Sequence, residues 1–156
     1  MRRRDFLAAL AGATACSASS RAAQRADPVI GYLYAGTIAD SPGSAMDAFW
    51  SGLAELGYTR ERNVGIEFRE AQNDLSRLPE LTQDLIRRQV SVIVVPGSGL
   101  AARAAKAATS TIPIVFGNAG DPIRLGLVAS LNRPGANATG VTDFGNALSA
   151  KRLELG

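Results

Sequence analysis

Three short segments concentrate the residues able to hold a small polar molecule: Gly36-Thr37, Gly97-Ser98-Gly99 and Asn118-Ala119-Gly120-Asp121. Each follows a run rich in β-branched or aromatic residues and leads towards a helical pattern. Free backbone N–H groups and the positive end of a helix dipole at such a junction suit an anion such as a ligand carboxylate. Asp121 offers a partner to an ammonium group, and the Asn118 amide can donate or accept. The same residues also meet plain turn requirements. Glycine supplies backbone freedom after a strand, and Asp121 before Pro122 is the pattern of a helix cap with proline in the first turn. Both readings stand at this level.

What is missing narrows the chemistry. The chain has no histidine and one cysteine, Cys16, so the general base of Ser-His-Asp or Cys-His catalysis and the commonest metal ligand are both absent. No Gly-x-Gly-x-x-Gly follows a strand, and no Gly-Lys-Ser/Thr phosphate loop occurs. Glu67, Glu70 and Asp74 read as solvated carboxylates, and no pair of acids is set for acid–base work. Arg87-Arg88 reads as a solvated helix end, and Asn137-Ala138-Thr139 fits the glycosylation pattern by letters alone. No catalytic residue, metal or cofactor is expected, and an enzyme on a Rossmann-like sheet would need motifs this sequence lacks.

The start of the chain reads as an address. Arg2, Arg3 and Arg4 precede Asp5-Phe6-Leu7 and a short Ala/Leu/Gly stretch to Ala15, followed by Ser, Ala and Arg21 up to Ala22. That is the order of an export signal, with Arg3 to Leu7 similar to the twin-arginine pattern and cleavage expected before Ala23. Cys16 invites a lipoprotein reading, but no Leu stands three residues before it, and a discarded signal residue is the simpler account. The apolar stretch is about half of the ~20 residues that cross a bilayer, so no membrane span is expected. Losing residues 1–22 removes four arginines and one aspartate, taking the 17 basic and 14 acidic residues to 13 of each. The net charge of +3 thus belongs to the address, and no basic face remains to argue for nucleic acid.

The elements that must position the three loops alternate from residue 29 onward. Strands are predicted at 29–34, 64–68, 90–95, 112–116 and 138–141; helices at 44–56, 75–89, about 99–109, 122–131 and 146–155. Met46, Phe49, Trp50, Leu53 and Leu56 form the apolar stripe of the first helix, with Gly57 at its C-terminal cap. The near-continuous β-branched run at 90–95 predicts a central strand covered on both faces, and Pro113 places the next strand towards an edge or at an unpaired position. This order implies an α/β fold with an open, doubly wound, mostly parallel sheet and right-handed crossovers. Ligands on such sheets bind beyond the carboxyl ends of the strands, where strand order reverses.

Several blocks carry a family resemblance: Ile30-Gly31-Tyr32-Leu33, Gly52-Leu53-Ala54-Glu55-Leu56-Gly57-Tyr58, Ile112-Pro113-Ile114-Val115-Phe116, Gly120-Asp121-Pro122 and Lys151-Arg152-Leu153-Glu154-Leu155, with others between them. The sequence resembles the substrate-binding proteins of ABC transporters related to tryptophan/tyrosine-type importers. The resemblance implies the first lobe of a type I periplasmic-binding-protein fold, in which two lobes close on a ligand. On that basis residues 1–22 are an export signal, 23–141 an N-terminal lobe, and 142–156 the crossover and start of a truncated second lobe. It also implies an extracytoplasmic, periplasmic location, a small-molecule ligand such as an amino acid, and permease subunits as partners. The ligand-facing positions it implies are Gly36, Thr37, Gly97, Ser98, Gly99 and Asn118 to Asp121, with Thr142 and Asp143 at the crossing to the second lobe. The loop at Gly99-Leu100 departs from the family's usual Thr or Pro. A sensor domain of the same fold is the competing reading.

Overall fold

A computed structural model of the chain describes residues 27–38, 43–60 and 62–142. Five strands are present: β1 (Val29–Tyr34), β2 (Gly65–Glu70), β3 (Val92–Pro96), β4 (Ile114–Gly117) and β5 (Ala138–Val141). They form one sheet in the order β2-β1-β3-β4-β5, and every neighbouring pair is parallel. Parallel pairing forces each connection to cross the sheet. The helices α1 (Gly43–Glu55), α2 (Leu78–Arg87) and α3 (Gly99–Ala108) make the first three crossings. The chain moves one way from β1 to β2, then back past β1 to β3 and onward, so right-handed crossovers set α1 on one face and α2 and α3 on the other.

The α2/α3 face holds the core. Leu33, Leu85, Ile93, Val95, Ile114 and Leu127 have no exposed surface. Alanines 101, 102 and 105 bring α3 close to the sheet. Leu78, Thr82 and Leu85 make the buried stripe of α2, and the Thr82 hydroxyl donates to the Leu78 carbonyl at 2.7 Å, which satisfies it in the core. On the opposite face Tyr32 packs against Phe49 of α1 and Phe68 of β2, with ring centres 5.6 and 5.4 Å apart. Arg60 lies over the Trp50 ring at 5.0 Å.

Several boundaries differ from the sequence reading, each for a local reason. β3 is the central strand of the five, as its β-branched run predicts, but the strand covered on both faces is β1, whose four central residues are buried. In β3 only Ile93 and Val95 are buried, while Val92 and Val94 on the α1 side are half-buried. β4 lies between β3 and β5 and is not an edge strand. Pro113 stands just before the first paired residue, Ile114, and its carbonyl accepts Ile93 N–H at 2.9 Å. The helix expected from Leu75 begins as a 3₁₀ turn, Leu75–Arg77, capped by Asp74, which accepts Ser76 N–H at 3.1 Å. Residues 122–131 form turns instead of a helix: Leu127 and Val128 both donate to Pro122 O, and Gly126 takes φ 69°. The helix expected at 146–155 lies outside the described residues.

Arg87 and Arg88 are paired as well as exposed. Asp84 accepts from Arg69 Nε at 2.7 Å, Arg88 Nε at 3.1 Å and Arg87 Nη2 at 3.0 Å. Glu67 joins Arg69 at 3.2 Å and Arg88 at 3.3 Å, so it too is engaged. Hydrogen bonds from Arg69, then Arg88 and Arg87, hold the Asp84 carboxyl at about 2, below its ordinary 3.8. Stability from this lowering is complete above the ordinary value and is lost as pH falls from about 4 to about 2. The thermal midpoint of the wild type should therefore fall faster over that window than that of Asp84→Asn, the two converging near its lower end. Parallel curves across the window would show that the ion pairs contribute no stability.

Candidate functional site

Parallel strands place all their carboxyl ends on one edge, and the order β2-β1-β3 makes the reversal fall between β1 and β3. The loops after β1 and β3 leave this point in opposite directions around the sheet and open a crevice between them. The loop after β4 lies one strand further along.

The loop after β3 is built for close approach. Gly97 takes φ 70° and donates to Gly117 O at 2.7 Å. Ser98 is the N-cap of α3, its hydroxyl accepting Ala101 N–H at 3.2 Å. A Cβ on Gly99 would meet the Ala119 carbonyl oxygen at 2.5 Å and collide with the Leu125 side chain. Glycine is thus what lets the α3 N-terminus rest against the next loop.

In that next loop Asn118 is exposed, takes φ 48° and donates its N–H to Val141 O at 3.0 Å. Ala119 is buried and Gly120 takes φ 79°. Asp121 is exposed; its Oδ1 accepts both Ile123 N–H and Arg124 N–H at 3.0 Å, the capping geometry foreseen from Asp121-Pro122, here on a turn. The Thr142 hydroxyl donates to Gly120 O. Gly97, Ser98, Gly99, residues 118–121 and Thr142 therefore form one connected cluster. Asp143 lies outside the described residues.

Gly36 and Thr37, both half-buried, stand across the reversal and are tied to a different neighbour. Gln72 N–H donates to Gly36 O at 3.1 Å and Asn73 N–H to Ala35 O at 2.8 Å, extending the β1–β2 pairing past the strand ends. Ile38 N–H donates to Glu70 Oε2 at 2.9 Å. The expectation that Glu67 and Glu70 are simply solvated is thus corrected, while Asp74 is exposed and caps the turn that follows it. Glu70 ends β2, two residues past the strand predicted at 64–68, and its partner lies 32 residues away.

What these parts can do is bind. They offer a helix N-terminus, backbone N–H groups, an exposed amide and a carboxylate around an open edge, all suited to a small zwitterion. A groove of about 660 Å³ also opens between α2 and α3, lined by Leu75, Leu78, Leu100, Arg103, Lys106 and Leu125 among others. It is mostly apolar, and Lys106 Nζ is already bonded to the Gly126 and Leu127 carbonyls at 2.7 Å. Converging polar groups favour the crevice over this groove as the candidate site.

A doubly wound parallel sheet with such an edge is an α/β fold of the class that takes ligands beyond its carboxyl ends. The chain belongs to the ABC transporter substrate-binding protein family, whose pattern matches residues 38–155. It is 33% identical over 100 residues to a tyrosine-binding protein of Clostridioides difficile (strain R20291), an alignment covering 64% of this chain and 29% of that protein. Among solved structures it is similar to a ligand-free, open substrate-binding protein with adhesive properties from Clostridium difficile, with 30% identity and a TM-score of 0.65 over 74% of this chain and 39% of that one. An ABC domain in complex with L-Trp from Streptococcus pneumoniae gives 29%, 0.64, 75% and 39% by the same measures. A conserved domain protein from Vibrio cholerae gives 26%, 0.70, 82% and 43%. The chain thus spans less than half the length of each of these proteins. The family binds substrates and does not transform them.

Proposed function

We propose that this chain supplies one lobe of an extracytoplasmic solute-binding protein that passes an amino acid, aromatic ones foremost, to an ABC importer. In this reading residues 1–22 export the protein to the periplasm, 23–141 form the lobe, and 142–156 begin the crossing to a second lobe. The ligand lies between the lobes against Gly36, Thr37, Gly97, Ser98, Gly99, residues 118–121, Thr142 and Asp143, and the closed clamp docks on permease subunits. The gathering of these loops on one carboxyl edge, in a chain of this family, carries the proposal. Relatives that bind tyrosine and L-Trp support the ligand class. Among the described residues no helix is long and apolar enough to cross a membrane.

Isothermal titration of the complete two-lobed protein with L-Tyr, L-Trp and non-aromatic amino acids tests the ligand. Micromolar or tighter binding of an aromatic amino acid is expected, and no heat with any of them would remove the substrate assignment. Residues 23–156 alone should bind the same ligand about 100-fold more weakly or worse, because a clamp buries most of the ligand's surface between both lobes. Equal affinity would contradict a two-lobed site.

A further inference from the structure

We infer that Glu70 is a positioning residue that holds the β1 loop in its ligand-facing shape from the neighbouring strand; this rests on the ligand-binding reading above. The loop is held at two points. Gly36 O is fixed by Gln72 N–H at 3.1 Å, and Ile38 N–H is fixed by the Glu70 carboxylate at 2.9 Å, in a partly buried contact. Thr37 stands between the two tethers. A carboxylate accepting a backbone N–H away from bulk water makes a stronger bond than a neutral acceptor would.

The other side of this clamp is set with backbone strain. Gln72 and Asn73 take φ 54° and 64°, a conformation that Asn tolerates but that Gln, like most side-chain-bearing residues, seldom adopts. In this conformation their N–H groups reach the Gly36 and Ala35 carbonyls. Such conformations persist where the surroundings over-determine them, often at functional loops. Space at Gly36 is short as well, since a Cβ there would meet the Tyr34 ring at 3.1 Å and Asn73 Oδ1 at 3.6 Å. The described part of the loop, residues 35–38, thus has its shape imposed from β2 and the two residues that follow Ala71, and the Glu70 side chain reaches across to Ile38.

Two measurements on the complete protein test this, with wild type, Glu70→Gln and Glu70→Ala compared. Without ligand, hydrogen exchange of the peptide covering residues 35–38 should speed up about tenfold in Glu70→Ala and stay near wild type in Glu70→Gln, whose amide oxygen can still accept. In titrations with L-Tyr and L-Trp, Glu70→Ala should bind about tenfold more weakly and Glu70→Gln within about threefold of wild type, with ligand-free thermal midpoints close together. A lowered midpoint with unchanged affinity and exchange would reduce Glu70 to a structural residue and overturn the inference. If the wild type binds neither amino acid, the ligand assignment falls while the exchange result still decides the role of Glu70. Faster exchange in Glu70→Ala alone sustains it, and equal exchange in all three proteins overturns it.

Discussion

Gly99→Ala is expected to push the loop after β3 away from the loop after β4, lowering both stability and ligand affinity. The added methyl would meet two obstacles. The Leu125 side chain can rotate aside, but the Ala119 carbonyl oxygen, 2.5 Å from the new Cβ, belongs to the backbone. That backbone is held on both sides, by Gly97 N–H on Gly117 O, by Asn118 N–H on Val141 O and by the Thr142 hydroxyl on Gly120 O. Relief therefore requires moving a loop with three anchors, and overpacking of this kind costs about 1–3 kcal/mol. Alanine favours a helix interior over glycine by up to about 1 kcal/mol, but at the first position of α3 the steric conflict outweighs that gain. Urea denaturation should show the loss as a lower midpoint with an unchanged slope, and titration with the aromatic ligand should show weaker binding. A midpoint at or above that of the wild type would mean the two loops are not in contact as described.

How far the sequence could be read follows from the range of each interaction. β1 and β5 were legible to the residue, because each is a short run bounded by turn chemistry. The Gly57 cap was legible too. It takes φ 84°, and Tyr58 N–H closes the α1 terminus on Leu53 O at 2.9 Å. The three loops could be assigned to one edge, since every strand-to-helix loop of a parallel sheet lies there. Which loops touch could not, because it depends on strand order. The order β2-β1-β3 separates Gly36 and Thr37 from the cluster around Gly99, a split that periodicity does not encode. The spacing of Leu125, Val128 and Leu131 imitated a helix, yet a left-handed Gly126 breaks it into turns. The ties from Glu70 to Ile38, 32 residues apart, and from Arg69 to Asp84, 15 apart, are side-chain bonds between elements. No local pattern announces them, so Glu70 read as solvated and Asp84 gave no signal.

The largest loss of stability is expected at Gly140, where β5 meets β4. Phe116 and Gly140 are register partners, and Phe116 is buried on the core face. A Cβ on Gly140 would collide with the Phe116 carbonyl oxygen and would meet Phe116 ring atoms at 2.6 and 2.7 Å. Gly140→Val would have to displace both the ring and the strand backbone. Expelling the ring forfeits burial of the kind lost in a Phe→Ala core truncation, about 3–5 kcal/mol, and opening the β4–β5 pairing adds to it. The site would suffer with the fold, because β5 sets the Val141 carbonyl that accepts Asn118 N–H and carries Thr142 to Gly120. A second substitution separates the two obstacles. Phe116→Leu in the Gly140→Val background clears the ring yet leaves the carbonyl in place, so it should recover little of the lost urea midpoint. Substantial recovery would show that the ring alone dictates glycine at position 140 and that the strands can part without harm.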